Sequence, residues 1–495
     1  MAGGKRLSEL GLKARQGRDP VLAGLTADSR AVKPGFLFAA LPGSQRHGAD
    51  FIATAMEKGA TAVLTDPAGA LLATGAIGLS DLALVVVDDP REALAYAAAL
   101  WFGAQPAVMA AVTGTNGKTS VASFTRQIWQ QLGETAINIG TTGVEGDWNA
   151  PSSHTTPDPV TLQKLLAEAA AAGVTHAAME ASSHGLDQRR LEGVRLKAAA
   201  FTNLTQDHLD YHGTMEAYFE AKAGLFTRLL PEDGVAVVNL DGAMGPEMAR
   251  LAAGRGLPVM TVGQGATATK PDLLIAGIRP DATGQEVRFL WQGQPFQTRL
   301  GLTGGFQAGN VALAAGLAIA CGAAPAAVMA TLPRLSGVRG RMQLAATRKN
   351  GAAVYVDYAH TPDAIATALR ALRPHVMGRL IVVFGAGGDR DRAKRPLMGQ
   401  AARENADILY VTDDNPRSED PAAIRAAILA ACSDANEVGD RAEAILRAVD
   451  ALQPGDAALI AGKGHETGQI IRGDVFPFDD VEQASVAVAA LDGVI

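Results

Sequence analysis

The sequence predicts an α/β protein of three domains, with parallel sheets at the centre of the second and third. Three observations predict it. The chain has 495 residues, and at roughly 150 residues per domain it divides into about three. Short apolar runs alternate with alanine-rich helical segments, the pattern of buried strands covered by helices. Two breaker-rich stretches, Trp101-Phe-Gly-Ala-Gln-Pro106 and Pro333-Arg-Leu-Ser-Gly-Val-Arg-Gly340, interrupt the alternation and divide the chain into residues 1–104, 105–333 and 334–495.

In the first segment Phe36–Leu41, Ala62–Leu64 and Leu82–Val87 read as strands. Residues 93–117 carry no charge, but Gly103, Gln105 and Pro106 break them into a helix over 91–102, a linker and a buried strand over 107–112 rather than a membrane span. A helix is predicted over Thr119–Leu132. Strand and helix signals then alternate through Ala136–Ile139, Leu162–Ala172, Ala177–Glu180, Ala198–Phe201 and Val235–Asn239. Beyond the second linker, Ala353–Asp357, Leu380–Phe384, Ile408–Thr412 and Ala457–Ala461 predict a doubly wound, Rossmann-like C-terminal domain, and Ala484–Ile495 a closing helix.

Composition narrows the function. With 48% hydrophobic and 19% charged residues the chain has ample core. A net charge of −7 recruits neither nucleic acid nor an anionic membrane, so a phosphate-bearing ligand needs a local site. Cys321 and Cys432 are too few for a disulfide framework or a thiolate zinc site, which points to the cytoplasm, and Lys5 and Arg6 are followed by no apolar signal stretch.

The most informative stretch is Val108-Met-Ala-Ala-Val-Thr-Gly-Thr-Asn-Gly-Lys-Thr-Ser120. A buried strand runs into a glycine turn, and Lys118, Thr119 and Ser120 open a helix. Such a turn converges backbone N–H groups on phosphate oxygens at a helix N-terminus. Lys118 then reaches the β- and γ-phosphates and Thr119 offers its hydroxyl to Mg2+. Val112 stands where the strict motif has glycine, yet the order of strand, Gly-Lys-Thr and helix predicts nucleoside triphosphate binding.

Other residues are ambiguous by themselves. Glu180 ends a strand, a suitable place for a ligand-binding carboxylate. His208 and His212 read equally as loop histidines or as ligands; His-Leu-Asp-Tyr-His lacks the glutamate of a zinc protease. Lys222 reads as a helical lysine on a solvated face, and Asp414–Arg417 as a turn. Gly385, Gly387 and Gly388 lack dinucleotide-fingerprint spacing. These residues alone leave a kinase, a nucleotide-binding regulator and a ligase open.

Thr113-Gly-Thr-Asn-Gly-Lys-Thr119 resembles the ATP loop of the Mur ligase superfamily, which includes folylpolyglutamate synthetase. Its members activate a carboxylate as an acyl phosphate that an amine then attacks. The resemblance spans nearly the whole chain, motif by motif. It implies that Gly114, Thr115, Asn116, Gly117, Lys118, Thr119, Ser120, Asn310 and Asp357 bind ATP, with Gln307 where the family motif has Asn. It further implies that Thr119, Glu180, His208 and Lys222 serve Mg2+, that Lys118, His208, Lys222 and Arg341 are catalytic, and that Lys222 is carboxylated on its ε-nitrogen.

Thr26-Ala-Asp-Ser-Arg30 and Gly43-Ser-Gln-Arg-His47 resemble the N-terminal uridine-nucleotide domain of the branch called MurE. This implies that Ala27, Ser29, Ser44, Gln45 and Arg46 meet the UDP part of UDP-MurNAc-L-Ala-D-Glu. Thr155, Thr156, Ser182, Gln188 and Arg190 then hold the peptidyl part, with His154 where the family often has Asn. Asp414-Asn-Pro-Arg417 is similar to the motif of members that add meso-diaminopimelate rather than lysine. Arg390, Asp414, Asn415, Pro416, Arg417, Gly462 and Glu466 are thereby implied to bind that amino acid. An arginine fork suits the extra carboxylate by which diaminopimelate differs from lysine. The implied protein is a monomeric ATP- and Mg2+-dependent amide ligase of peptidoglycan precursor synthesis, with a central ATPase domain flanked by a uridine-nucleotide domain and an amino-acid domain.

Overall fold

Several helix starts in this chain are written as Asp-Pro or Thr-Pro pairs, and the computed structural model shows them acting as caps. It describes residues 4–43, 46–77, 81–152, 154–265, 270–281 and 283–494. Asp89, Asp158 and Thr361 accept backbone N–H groups of the helices Pro90–Phe102, Pro159–Ala171 and Pro362–Leu372, with proline at the first helical position. The first two helices therefore begin earlier than apolar periodicity predicts. The closing helix is Asp480–Leu491. It starts at the Asp479 cap and stops before Asp492, whose carboxylate is bonded to Arg348 and Lys349 instead of continuing the helix.

Three main sheets mark three domains. Gly24–Thr26, Phe36–Ala39, Ala62–Thr65 and Ala83–Val86 form a parallel four-stranded sheet. The central sheet has ten strands among the described residues, and Val108–Thr113 sits between His176–Glu180 and Leu196–Phe201 in parallel register. Its far edge turns antiparallel through Leu273–Asp281, Gly284–Trp291 and Gln294–Leu300. The second of these hairpins closes on the two-residue turn Gln292-Gly293, both at positive φ (46° and 90°), the twist a tight hairpin needs. One face of this sheet packs on the helices Lys118–Gln131 and Phe306–Ala320, the other on Pro159–Ala171 and Gly245–Gly254. Phe306–Ala320 is apolar nearly all round because it lies between the sheet and a second helix.

In the C-terminal sheet the parallel strands run Ala353–Asp357, Ala457–Ala461, Leu380–Phe384, Ile408–Val411 and Asn436–Glu437 side by side. The chain reaches Ala457–Ala461 last, so the sequence-distant loops after residues 357, 384, 411 and 461 open into one crevice at the carboxyl edge. The fully buried ion pair Arg441–Asp480, at 2.8 Å, ties the closing helix beneath that crevice, and Arg441 also donates to the carbonyl of Ala461 at 3.0 Å. No helix among the described residues is long and apolar enough to cross a membrane.

Candidate functional site

The end of Val108–Thr113 delivers the glycine turn to the carboxyl edge of the central sheet, and Gly117 forms the N-cap of Lys118–Gln131. Gly117 lies at φ 89°, and a Cβ there would stand 2.5 Å from Asn310 Oδ1, so the loop and the helix bearing Asn310 approach as only glycine permits. Lys118 Nζ donates to the carbonyls of Gly114 and Thr115 at 3.0 and 2.8 Å, holding the ammonium over the loop. Burial holds that amine below the ordinary lysine range, while Glu180 and Asp207 pull it back up.

Glu180 is fully buried at the end of His176–Glu180. It accepts the Thr119 hydroxyl at 3.1 Å, the Thr141 N–H at 2.8 Å and the Thr141 hydroxyl at 3.3 Å. Arg341 reaches across from the third domain, its Nη2 donating to Thr119 Oγ1 at 3.3 Å while its guanidinium stacks 4.5 Å from the Tyr358 ring. Two hard oxygen donors therefore face each other where phosphate oxygens are expected. That set fits Mg2+, which takes one or two protein oxygens and completes its shell from phosphates and water. Among the described residues no group of three or more His, Cys, Asp or Glu is gathered as a self-sufficient metal cage.

Lys222 is not the solvated lysine that its helix alone suggests. It is 1% exposed, donates to Gly114 O at 2.7 Å and lies 4.4 Å over the Tyr218 ring, one helical turn back. Burial, followed by the neighbouring Lys118 charge, holds its amine well below the ordinary lysine range. His208 follows in a left-handed conformation (φ 53°), and desolvation lowers its imidazole to about 4 against the opposing pull of Asp207.

The residues expected at the peptidyl end assemble beside Glu180. Thr155 Oγ1 is 3.0 Å from Thr141 Oγ1, and Thr156 Oγ1 donates to the Glu180 carbonyl at 2.9 Å while accepting Ser182 N–H at 3.0 Å. Arg190 donates to Thr156 O at 2.7 Å and to Gln188 Oε1 at 2.7 Å. Lys118, Thr119, Ser120, Thr155, Glu180, Ser182, His208, Lys222, Asn310, Arg341 and Asp357 all line one cavity of about 480 Å³ between the central and C-terminal domains. Asp357 is tied up there by the N–H groups of Met342 and Ala359 at 2.6 and 2.8 Å.

The residues expected on the amine side form a second cluster in the C-terminal crevice. Arg417, at φ 51°, donates to Gly388 O at 2.7 Å. Gly388 is required there: a Cβ would lie 1.9 Å from Pro416 O. Asn415 Nδ2 donates to Glu466 Oε2 at 2.9 Å, and a Cβ on Gly462 would meet Asp414 at 2.6 Å, so the two loops are in contact. Asp414 and Asn415 are buried, which corrects their reading as an exposed turn. Arg390 is exposed and donates to its neighbour's carbonyl at 3.3 Å, with no bond to this network among the described residues. The Tyr358 ring joins the two clusters, 5.0 Å from the His465 ring on one side and under Arg341 on the other.

Ala27 and Arg46 are exposed and Ser29 half-buried on the first domain, away from the cavity lining, and Ser44 and Gln45 lie outside the described residues. The sequence reading missed Thr141, Asn203, Tyr218 and Lys463. Thr141 and Asn203 lie just past strand ends, near where Glu180 closes its own strand, and Tyr218 precedes Lys222 by one helical turn, a usable signal. Lys463 is hidden in a glycine motif.

Three family models match the chain: "Mur ligase family, catalytic domain" over residues 21–101, "Mur ligase middle domain" over 112–318 and "Mur ligase, glutamate ligase domain" over 340–464. A protein of Caulobacter vibrioides named UDP-N-acetylmuramoyl-L-alanyl-D-glutamate–2,6-diaminopimelate ligase is 50% identical over 497 residues, covering 99% of each chain. One of the same name from Brucella melitensis is 50% identical over 473 residues, covering 95% of this chain and 94% of its own. A solved structure of that name superposes with a TM-score of 0.71 at 36% identity, covering 98% of this chain and 99% of its own. The MurF ligase of Thermotoga maritima in complex with ADP shares the fold at 17% identity with a TM-score of 0.61, over 95% of this chain and 98% of its own.

Proposed function

The chain belongs to the Mur ligase family, and from that premise we propose that it joins meso-diaminopimelate to the D-Glu γ-carboxylate of UDP-MurNAc-L-Ala-D-Glu at the expense of ATP, a step of peptidoglycan synthesis. One observation carries the reading. Phosphate-binding Lys118, Thr119 and Arg341 line the same cavity as Thr155 and Ser182, with the amine-side loops in contact through Tyr358.

In this reaction a γ-carboxylate oxygen attacks the γ-phosphorus of ATP, the bond to ADP breaks, and an acyl phosphate forms. The diaminopimelate amine then attacks the acyl carbon, loses a proton, and inorganic phosphate leaves. The protein's contribution is position and charge. Lys118 and Arg341 meet negative charge on the transferred phosphoryl group. The glycine turn supplies N–H donors, and Asn310 stands at the nucleotide side. Thr155, Thr156, Ser182, Gln188 and Arg190 orient the D-Glu end, while Ala27, Ser29, Ser44, Gln45 and Arg46 of the first domain take the uridine part.

Thr119 would hold the nucleotide-bound Mg2+, and Glu180 and His208, with carboxylated Lys222, a second ion; bound there, the metal would supply positive charge to the phosphate oxygens. As an ammonium Lys222 is a donor and no metal ligand. Its burial and lowered basicity support a neutral amine that takes up CO2 with loss of a proton, giving a carbamate with two oxygen donors. On the amine side Arg417, with Arg390 on the rim, takes carboxylate, and Glu466, with Asp414 and Asn415, takes ammonium. The division at 1–104, 105–333 and 334–495 belongs to the same proposal, as do a monomeric state and a cytoplasmic location, the latter supported by the free Cys321 and Cys432.

Phosphate release from ATP, followed with the UDP-dipeptide and either meso-diaminopimelate, L-lysine or no amine, tests the reading. Release that requires both the acceptor and diaminopimelate is expected. Equal release without amine would refute it.

A further inference from the structure

Lys463 has no part in the chemistry described so far, yet its side chain is wholly buried behind the loop that carries Asn415 and Arg417. An ammonium has three protons, and all three have acceptors here: Gly468 O at 2.7 Å, Asn415 Oδ1 at 2.9 Å and Glu466 Oε2 at 3.5 Å. Asp414 Oδ1 stands 3.8 Å away. Asn415 Oδ1 also accepts the Ile470 N–H at 2.9 Å. Two donors on one atom settle which end of that amide is oxygen, and so turn Nδ2 toward Glu466 Oε2 at 2.9 Å. Lys463 and Asn415 thus converge on the same oxygen of Glu466, and the other oxygen is not engaged among the described residues.

The charge pattern agrees. Asp414 and Glu466 face one ammonium, so a single negative charge is left over, enough for one substrate ammonium. The nearby Arg441 does not alter this balance, since it is paired to Asp480 through two bonds of 2.8 Å. Without Lys463 the two carboxylates would face each other across a buried space, and the Asn415 amide would lose one of the two donors that orient it.

We propose that Lys463 is a positioning residue for the amine donor. It acts through Asn415 and Glu466 to present one oriented carboxylate oxygen and one net negative charge beside Arg417, a match for the zwitterionic end of an amino acid. This rests on the assignment of residues 414–417 and 462–466 to the amine donor.

The test uses the full-length enzyme with saturating ATP and UDP-MurNAc-L-Ala-D-Glu and varied diaminopimelate. In Lys463→Met the KM for diaminopimelate is expected to rise about tenfold or more, with the KM for ATP within about twofold of the unsubstituted enzyme. Lys463→Gln keeps amide donors for Asn415 and Gly468 without the charge, and gives the same result where the methionine variant does not fold. In a Glu466→Gln background Lys463→Gln is expected to add less than about twofold, because the two substitutions disable one device. An unchanged diaminopimelate KM in a folded variant overturns the proposal. So does an equal rise for all three substrates, or full additivity with Glu466→Gln. If the unsubstituted enzyme does not respond to diaminopimelate, the site assignment fails and the proposal with it; if it responds and the variants do not differ, the proposal alone fails.

Discussion

The phosphate cavity and the amine-side crevice both sit at carboxyl edges of parallel strands, yet they are held together in opposite ways. In the first, one uninterrupted strand, turn and helix supplies residues 113–120, and the added groups, Glu180 and Lys222, are buried side chains bonded to that segment or its neighbours. In the second, three loops from three strands are pinned to one another: Arg417 to Gly388, Ser418 to Asp389 at 2.6 Å, and Asn415 to both Lys463 and Glu466. The contiguous site concentrates positive charge, Lys118 with Arg341, which suits charge stabilisation. The composite site balances both signs of charge, which suits recognition. Damage to the first should cost chemistry whatever the amine; damage to the second should cost choice of amine and leave the phosphoryl step in place.

The largest expected effect breaks the phosphate side. Lys118→Ala lowers kcat by about 10²–10³, equally with diaminopimelate and with any slow alternative amine, as read by phosphate release. A comparable loss confined to one amine would contradict the division of labour. Next, Arg417→Ala is expected to reduce the diaminopimelate-to-lysine ratio of kcat/KM by about tenfold to a hundredfold, the effect of a lost charge-assisted bond. An unchanged ratio removes Arg417 from recognition.

The smallest effect concerns the joint between the two sites. Burial, reinforced by Arg341 and Arg339, lowers the His465 imidazole from 6.5 to about 4. Between these values the unfolded chain takes up a proton that the folded site refuses, so folding stability falls as pH drops from 6.5 toward 4. His465→Gln should flatten that part of the curve of thermal midpoint against pH. Superimposable slopes would show that this ring does not contribute.

The two sites also differ in how far they can be read from sequence. Residues 113–120 were legible because strand, turn and helix start are consecutive and each has a local signal. The partners of Arg417 were not, because its contact with Gly388 depends on segments 380–384 and 408–411 lying side by side, so that the loops after them meet. Lys222 was legible only through family resemblance. Its helix has no strong apolar face, and what buries Lys222 is the contact with Gly114, more than a hundred residues away. The antiparallel edge of the central sheet had a readable cue in Gln292-Gly293 that apolar runs alone did not expose. The early helix starts at Pro90 and Pro159 show capping overriding periodicity.

The central claim is that the acceptor carboxylate is phosphorylated before the amine attacks. UDP-MurNAc-L-Ala-D-Glu carrying oxygen-18 in its γ-carboxylate, turned over with ATP and diaminopimelate, tests it most directly. Oxygen transfer to phosphorus predicts that the released inorganic phosphate carries one labelled oxygen for each amide formed. Unlabelled phosphate, with the displaced label released to water, would contradict the account.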